Sequence, residues 1–176
     1  IVGTVGNDAG GRQLLGLHRE QKIDTARVLE DPDFRTIVKT RIVARNQQVV
    51  RVDREQFRVP NDAQVAKISA GLKHILPELD AVIFEDSGKG FLSAELVRQI
   101  SEAVNLAGKI VTADPNPHQA IAWKNITAVK PNRSEELAAD GLPERDPTEP
   151  PSEDAGLHFA GARLRATWDT TLLLIS

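Results

Sequence analysis

From Asn61 onward the chain switches repeatedly between two hydrophobic periods, and that alternation limits what it can fold into. N-D-A-Q-V-A-K-I-S-A-G-L-K-H-I-L sets Val65, Ile68, Leu72, Ile75 and Leu76 at helical spacing, with Asn61 or Asp62 as cap and Pro77 as stop. Leu79–Phe84 then runs apolar as a buried strand. Leu92–Leu106 is again a helix, Leu92, Leu96, Val97, Ile100 and Val104 inward and Glu95, Arg98 and Gln99 outward. Gly108-Lys109 turns it into strand Ile110–Ala113, and Ile126–Lys130 is the next strand. A helix from Asp154 to Trp168, with Leu157, Ala160, Ala162 and Leu164 inward, leads to a terminal strand in Asp169–Ser176. Strands separated by helices demand a parallel sheet with right-handed crossovers, so the fold class is α/β.

Open parallel sheets bind ligands beyond the carboxyl ends of their strands, and three polar stretches fall there. Glu85-Asp86-Ser87-Gly88-Lys89-Gly90 follows the first of these strands. Lys89 between two glycines can approach a phosphate closely; a solvated turn with a flexible lysine is the equal alternative. Asp114-Pro115-Asn116-Pro117 follows the second, where Asp114 serves equally as turn former. Pro131-Asn132-Arg133-Ser134-Glu135 follows the third, with Asn132 and Glu135 on one side of a helix N-terminus. On the residues alone the preferred role for that pair is a capping box.

The N-terminal part reads as strand Ile1–Gly6, a glycine-rich turn capped by Asn7 or Asp8, and a helix. No Lys-Ser/Thr follows the glycines and their spacing misses G-x-G-x-x-G, so P-loop and dinucleotide fingerprints are excluded. Ile23–Val28 leads to a carboxylate- and proline-rich turn at Glu30-Asp31-Pro32-Asp33. Thr36–Asp53 holds two β-branched runs, Ile37–Val43 and Val49–Val52, around the polar knot Arg45-Asn46-Gln47-Gln48. Runs of that kind want burial, and the knot between them is either a solvated hairpin tip or a set of donors and acceptors suited to a polyhydroxylated ligand such as a sugar.

The 176 residues suffice for one domain with a real core. A net charge of −3 gives no general surface for nucleic acid or anionic membranes. No apolar run reaches the roughly 20 residues that span a bilayer. Cysteine is absent, which excludes disulfides and thiolate chemistry and fits a cytoplasmic location. His18, His74, His118 and His158 fall in separate elements without zinc-ligand spacing, and Trp123 and Trp168 are expected to pack rather than bind. Asp140–Asp154 is an acidic, proline-rich surface loop. The chain lacks methionine and begins and stops inside apparent strands, so an internal portion of a longer protein is the expectation.

The run V-K-T-R-I-V-A-R-N-Q-Q-V-V-R-V-D closely resembles the corresponding segment of bacterial heptose-7-phosphate kinases, the kinase half of ADP-heptose synthase, within the ribokinase-like (PfkB) carbohydrate kinases. The resemblance implies a three-layer αβα ribokinase-like fold with a mainly parallel sheet, residues 1–176 forming the central portion of one kinase domain and 36–53 a β extension or lid. It implies ATP and Mg2+ as cofactors, a sugar phosphate as substrate and phosphorylation of its anomeric hydroxyl for ADP-heptose and lipopolysaccharide core synthesis. Asn46 and Gln47 become sugar contacts and Arg45 and Arg51 partners for an anionic phosphate. Asp86, Lys89 and Gly90 match an Asp-aromatic-x-Lys-Gly signature, with Ser87 where the aromatic is usual; Asp86 goes to the sugar, Lys89 and Gly90 to phosphate. Asn132 and Glu135 match Asn-x-x-Glu, which arranges magnesium through its waters and the ATP phosphates; Asp114 is a secondary candidate. Two family segments lack a counterpart here, the glycine-rich sugar-binding segment and the Gly-Ala-Gly-Asp that supplies the catalytic base, so these residues alone are not expected to turn over. Another PfkB sugar kinase or a non-catalytic binding domain of the same fold are the alternatives, and a homodimer through the 36–53 strands is the expected assembly.

Overall fold

The computed structural model describes residues 1–116, 121–139, 141 and 150–175. Val2–Gly6 (β1) and Arg27–Asp31 (β2) pair in parallel, with helix Ala9–Glu20 (α1) crossing between them. Asp8 starts that helix: one carboxylate oxygen accepts the Gly11 N–H at 2.8 Å, the other the Thr36 N–H at 3.0 Å. The Thr36 hydroxyl in turn accepts the Gly6 N–H at 2.9 Å. These bonds, Gly11 first, hold the Asp8 carboxyl down to about 2. A Cβ on Gly6 would stand 2.2 Å from the Phe34 carbonyl oxygen, so the approach of the two segments requires glycine. Asp8 is thus the cap, and the turn is structural.

Strand β2 corrects the expectation of a turn from Glu30: Glu30 and Asp31 are still in the sheet, opposite Val5 and Gly6. Two apolar residues beside carboxylates are too short a signal for a strand, yet pairing with β1 satisfies the backbone and Leu29 joins the core.

Val38–Ala44 (β3) and Gln47–Arg54 (β4) form an antiparallel hairpin with a bulge at Ile42/Val43. Ala44 pairs with Gln47, so the turn is Arg45-Asn46 alone, Arg45 at φ +54°, and Gln47 and Gln48 belong to the strand rather than the apex. The expected burial of this segment does not occur. The register puts Thr40, Ile42, Val50 and Val52 on one face and Lys39, Arg41, Arg51 and Asp53 on the other, and Ile42, Val50 and Val52 stay 49%, 44% and 54% exposed. Branching at Cβ favours the extended backbone whether or not a partner layer covers the strand.

Helix Asp62–Ile75 (α2) opens with the capping box of Asn61 and Gln64 and closes in a 3₁₀ turn at Leu76–Glu78, with Pro77 at its start. Ala81–Glu85 (β5), Ile110–Asp114 (β6), Ala128–Val129 (β7) and Leu172–Leu173 (β8) form an all-parallel sheet in that order. Helix Ala94–Leu106 (α3), capped by Ser93, links β5 to β6; Leu92 precedes it. Helices Arg133–Ala139 (α4) and Ala155–Trp168 (α5) link β7 to β8. β7 is shorter than the strand read over Ile126–Lys130, but its flanks keep the ladder: Thr127 N–H donates to Val111 and Lys130 N–H to Ala113. β8 is likewise a short piece of Asp169–Ser176, because Asp169 ends α5 in the left-handed region.

The register gathers Val82, Phe84, Val111, Ala113 and Val129 on one face, where Leu96, Val97 and Val104 of α3, α2 and the Leu164–Trp168 end of α5 cover them. Trp123, 1% exposed, meets Phe84 with ring centroids 6.1 Å apart, and Trp168 is buried too, so both tryptophans pack. In α5, Ala162 is exposed against expectation and Gly161 is buried in its place, since any Cβ there would stand 2.7 Å from Glu136 Oε1. His118 and most of the loop expected over Asp140–Asp154 lie outside the described residues. Leu96 is fully buried under the sheet, so Leu96→Ala should cost about 3 kcal/mol through lost burial and a cavity. Urea unfolding monitored by tryptophan fluorescence should show the midpoint falling accordingly; an unchanged midpoint would contradict this core.

Candidate functional site

Because β5, β6 and β7 are adjacent and parallel, the segments that follow them lie along one edge of the sheet. Glu85 pairs with Asp114, and the Asp86 N–H continues the ladder to the Asp114 carbonyl at 3.0 Å. The structure therefore brings Asp86, Asp114 and the Pro131-Asn132 turn to the same edge, as their positions after strands imply.

Asp86 is 8% exposed. Burial pushes its carboxyl above the usual range, against the pull of the Gly88 and Asn116 N–H groups. One oxygen accepts from Gly88 at 2.9 Å; the other is buried without a hydrogen bond among the described residues. The two glycines around Lys89 both have positive φ, +69° at Gly88 and +89° at Gly90, and both are crowded. A Cβ at Gly88 would meet the Asn116 side chain at 2.8 Å, and one at Gly90 the Arg58 carbonyl and Phe57 ring at 3.0 Å. The loop needs glycine for its own packing, apart from any approach of a ligand. Lys89 Nζ contacts the Glu55 carboxylate at 2.5 Å, and the hydrogen bond from Lys89 leads the causes that lower the Glu55 pKa.

Beneath this loop lies a cavity of about 200 Å3 whose lining includes Thr4, Asp31, Arg58, Gln64, Ser87 and Lys89. Asp31, 5% exposed, accepts from the Asp33 N–H at 2.9 Å, Arg58 at 2.9 Å and Gln64 at 3.3 Å. Burial alone would raise its carboxyl, but these bonds and the Arg58 charge outweigh it and hold it low. The sequence reading missed all three residues. Asp31 was hidden in a turn-like stretch, Gln64 in a helix cap and Arg58 in the unassigned run between hairpin and helix; only their meeting marks them. A wider hollow of about 570 Å3 beside α5 and the end of β8, with His158, Arg165 and Asp169, is lined by none of Asp86, Lys89, Asp114, Asn132 and Glu135.

Asn132 and Glu135 form the capping box: Glu135 N–H donates to Asn132 Oδ1 at 2.8 Å and Asn132 N–H to Glu135 Oε2 at 2.7 Å. Arg133 pairs with the buried Asp154, which caps α5, so the turn is tied to the next helix. The hairpin-tip residues Arg45, Asn46 and Gln47 are exposed, and none lines the cavity at Lys89; Arg51 pairs with Asp53 at 3.0 Å. Among the described residues no group of three His, Cys, Asp or Glu side chains could hold a metal directly, and no helix is long and apolar enough to cross a membrane.

A raised carboxyl stabilises the fold below the unfolded value of 3.8 and loses that contribution as pH rises through the folded value. Asp86→Asn should therefore match the wild type near pH ~3.5 and exceed it near pH ~7, as read by urea midpoints at both. Arg58→Ala strips a counter-ion from buried Asp31 and should cost about 2 kcal/mol, discounted because Arg58 itself is part-exposed, with Asp31→Asn in the same background recovering part of it.

The family model described as pfkB family carbohydrate kinase matches residues 1–160. The bifunctional protein HldE of Geobacter metallireducens is 33% identical over 176 residues, all of this chain and 34% of that protein; the HldE of Caulobacter vibrioides is 35% identical over 89% of this chain and 31% of its own. The chain thus spans about a third of the length of these curated relatives. Among solved structures, Escherichia coli phosphofructokinase-2 in complex with substrates and products superposes with a TM-score of 0.66 at 19% identity, over 98% of this chain and 54% of that one. Arabidopsis thaliana ribokinase complexed with ribose and ATP gives 0.65 at 15% identity, over 99% and 53%. The fold is that of these kinases, and with its family match running from the first strand into α5, the chain belongs to the pfkB family of carbohydrate kinases.

Proposed function

We propose that the chain is the central part of an ATP-dependent kinase that phosphorylates the anomeric hydroxyl of D-glycero-D-manno-heptose 7-phosphate, in the cytoplasm, for ADP-heptose and lipopolysaccharide core synthesis. The carrying observation is the row of Asp86, Lys89 and the Asn132–Glu135 turn along one edge of a parallel sheet, in a chain whose HldE relatives are 33% and 35% identical. Support for the sugar comes from those relatives and from the hairpin sequence that resembles heptose-7-phosphate kinases.

ATP supplies the phosphoryl group and Mg2+ neutralises its charge. The residues fit a metal held through water: Asn132 Oδ1 and one Glu135 oxygen are engaged in the cap, which fixes the remaining carboxylate oxygen at the strand end. Lys89 faces the phosphates, with Gly90 allowing the close approach. Asp86, with an unpartnered oxygen, accepts from sugar hydroxyls. Asn46, Gln47 and Arg45 at the hairpin tip, with Arg51 behind them, reach the sugar phosphate when the hairpin lies over the site, and Asp114 plays a secondary part. Proton removal from the hydroxyl falls to the family's Gly-Ala-Gly-Asp segment, which this sequence does not contain, so the isolated residues bind without turning over. The open face of Thr40, Ile42, Val50 and Val52 supports a homodimer through the hairpin.

The test is ADP release by the full-length protein with heptose 7-phosphate and, separately, ribose. Heptose 7-phosphate should be preferred, and Lys89→Ala and Asn132→Ala should each lower kcat/KM about 100-fold. Preference for ribose would move the chain to another sugar kinase of the family, and a full-length protein inactive on every sugar would leave a binding domain.

A further inference from the structure

The segment leaving the hairpin, Glu55–Arg58, sits on the loop after β5 at three points. The Glu55 carboxylate holds the Lys89 ammonium at 2.5 Å, the Arg58 N–H donates to the Lys89 carbonyl at 3.0 Å, and Phe57 with the Arg58 carbonyl closes over Gly90. The other Glu55 oxygen lies 3.5 Å from Lys39 on β3, so one carboxylate spans a hairpin strand and the lysine at the cavity. Among the described residues β3 and β4 bond in a ladder only with each other. On its far side the root is held by Gln56, which accepts the Arg35 N–H at 2.9 Å.

A phosphate drawn to Lys89 meets this arrangement as a competitor. Its oxygens need the same ammonium protons that Glu55 accepts, and two anions sharing one cation at such distances repel. Resting on the assignment of Lys89 to phosphate, we propose that Glu55 is a positioning residue that competes with an anionic ligand for Lys89, so that a phosphate-bearing ligand frees the root of the β3–β4 hairpin. Coupling of this kind is reciprocal: what the anion does to the hairpin, the loss of Glu55 does to anion affinity. The Glu55 contact is thereby made while the site is empty of anion and lost when it fills, which loosens the hairpin enough to lie over the site, while Arg58 to Asp31 and Gln56 to Arg35 still hold its stem.

The experiment uses the chain itself with inorganic phosphate against chloride at constant ionic strength. The side-chain NMR signal of Lys89, assigned through Lys89→Ala, reports binding, and amide hydrogen exchange over residues 38–54 reports the hairpin. Phosphate should shift the Lys89 signal and speed hairpin exchange in the wild type. Glu55→Gln should exchange fast without phosphate and bind it roughly 5- to 10-fold tighter, while Glu55→Asp, which keeps the charge, should return towards wild-type affinity. Equal phosphate affinity in wild type and Glu55→Gln overturns the competition while leaving Lys89 as an anion site. A Lys89 signal that phosphate moves in neither protein overturns the assignment of Lys89 itself.

Discussion

Parallel pairing of β5 with β6, Ala81 opposite Ile110 through Glu85 opposite Asp114, is the constraint from which the chemistry of this chain descends. Each rung fixes which residues enter the core and which residue is last in its strand. With Phe84, Val111 and Val129 held on the covered face, the segments after all three strands must emerge along the same edge. A slip of one residue would turn Phe84 outward and carry Asp86 out of register with Asp114. The polar row is therefore placed by apolar burial, and no polar contact is needed to choose its position.

Within that row, charges are handled by pairing rather than by exposure. Arg58 and Gln64 hold the Asp31 carboxyl low, Lys89 pairs with Glu55 and Arg133 with Asp154, while Asp86 bears the cost of burial with no cation paired to it among the described residues. A carboxylate in that state is the group whose energy falls most when a hydroxyl or cation arrives, which suits it to a ligand more than to the resting fold. Asp8 is the contrast: it is satisfied by backbone donors from two segments and serves architecture.

Local chemistry was legible in the sequence where the partners lie within one turn. The caps at Asp8 and Asn61, and the Asn132–Glu135 box, each connect residues three apart and were readable for that reason. The helical faces of α2 and α3 were readable from their period. Strand β2 was not, because Val28 and Leu29 stand beside carboxylates that imitate a turn. Nor was the exposure of the hairpin, since β-branched residues report backbone preference and not what lies above it. Asp31 meets Arg58 across 27 positions and Gln64 across 33, and Lys89 meets Glu55 across 34; no local pattern encodes such meetings, so the cavity was invisible until the fold closed. Gly88 and Gly90 are required by packing, and Asn132 and Glu135 by capping, before any ligand is considered.

Those local requirements explain how the strand ends can be fixed in a sheet that, among the described residues, is covered on one face. Ile83, Ile110 and Leu172 point away from the helices and are 72%, 53% and 53% exposed, whereas Val111, Val129, Leu96 and Val104 on the covered face are fully buried. The buried face sets the strands' positions, the crowded glycines set the loop after β5, and the reciprocal cap sets the turn after β7. Each polar group is held by its own local constraint in addition to the shared sheet. The geometry of Asp86, Lys89 and Asn132 is accordingly a property of these residues themselves, and what settles against the open face bears on stability more than on where the site's groups stand.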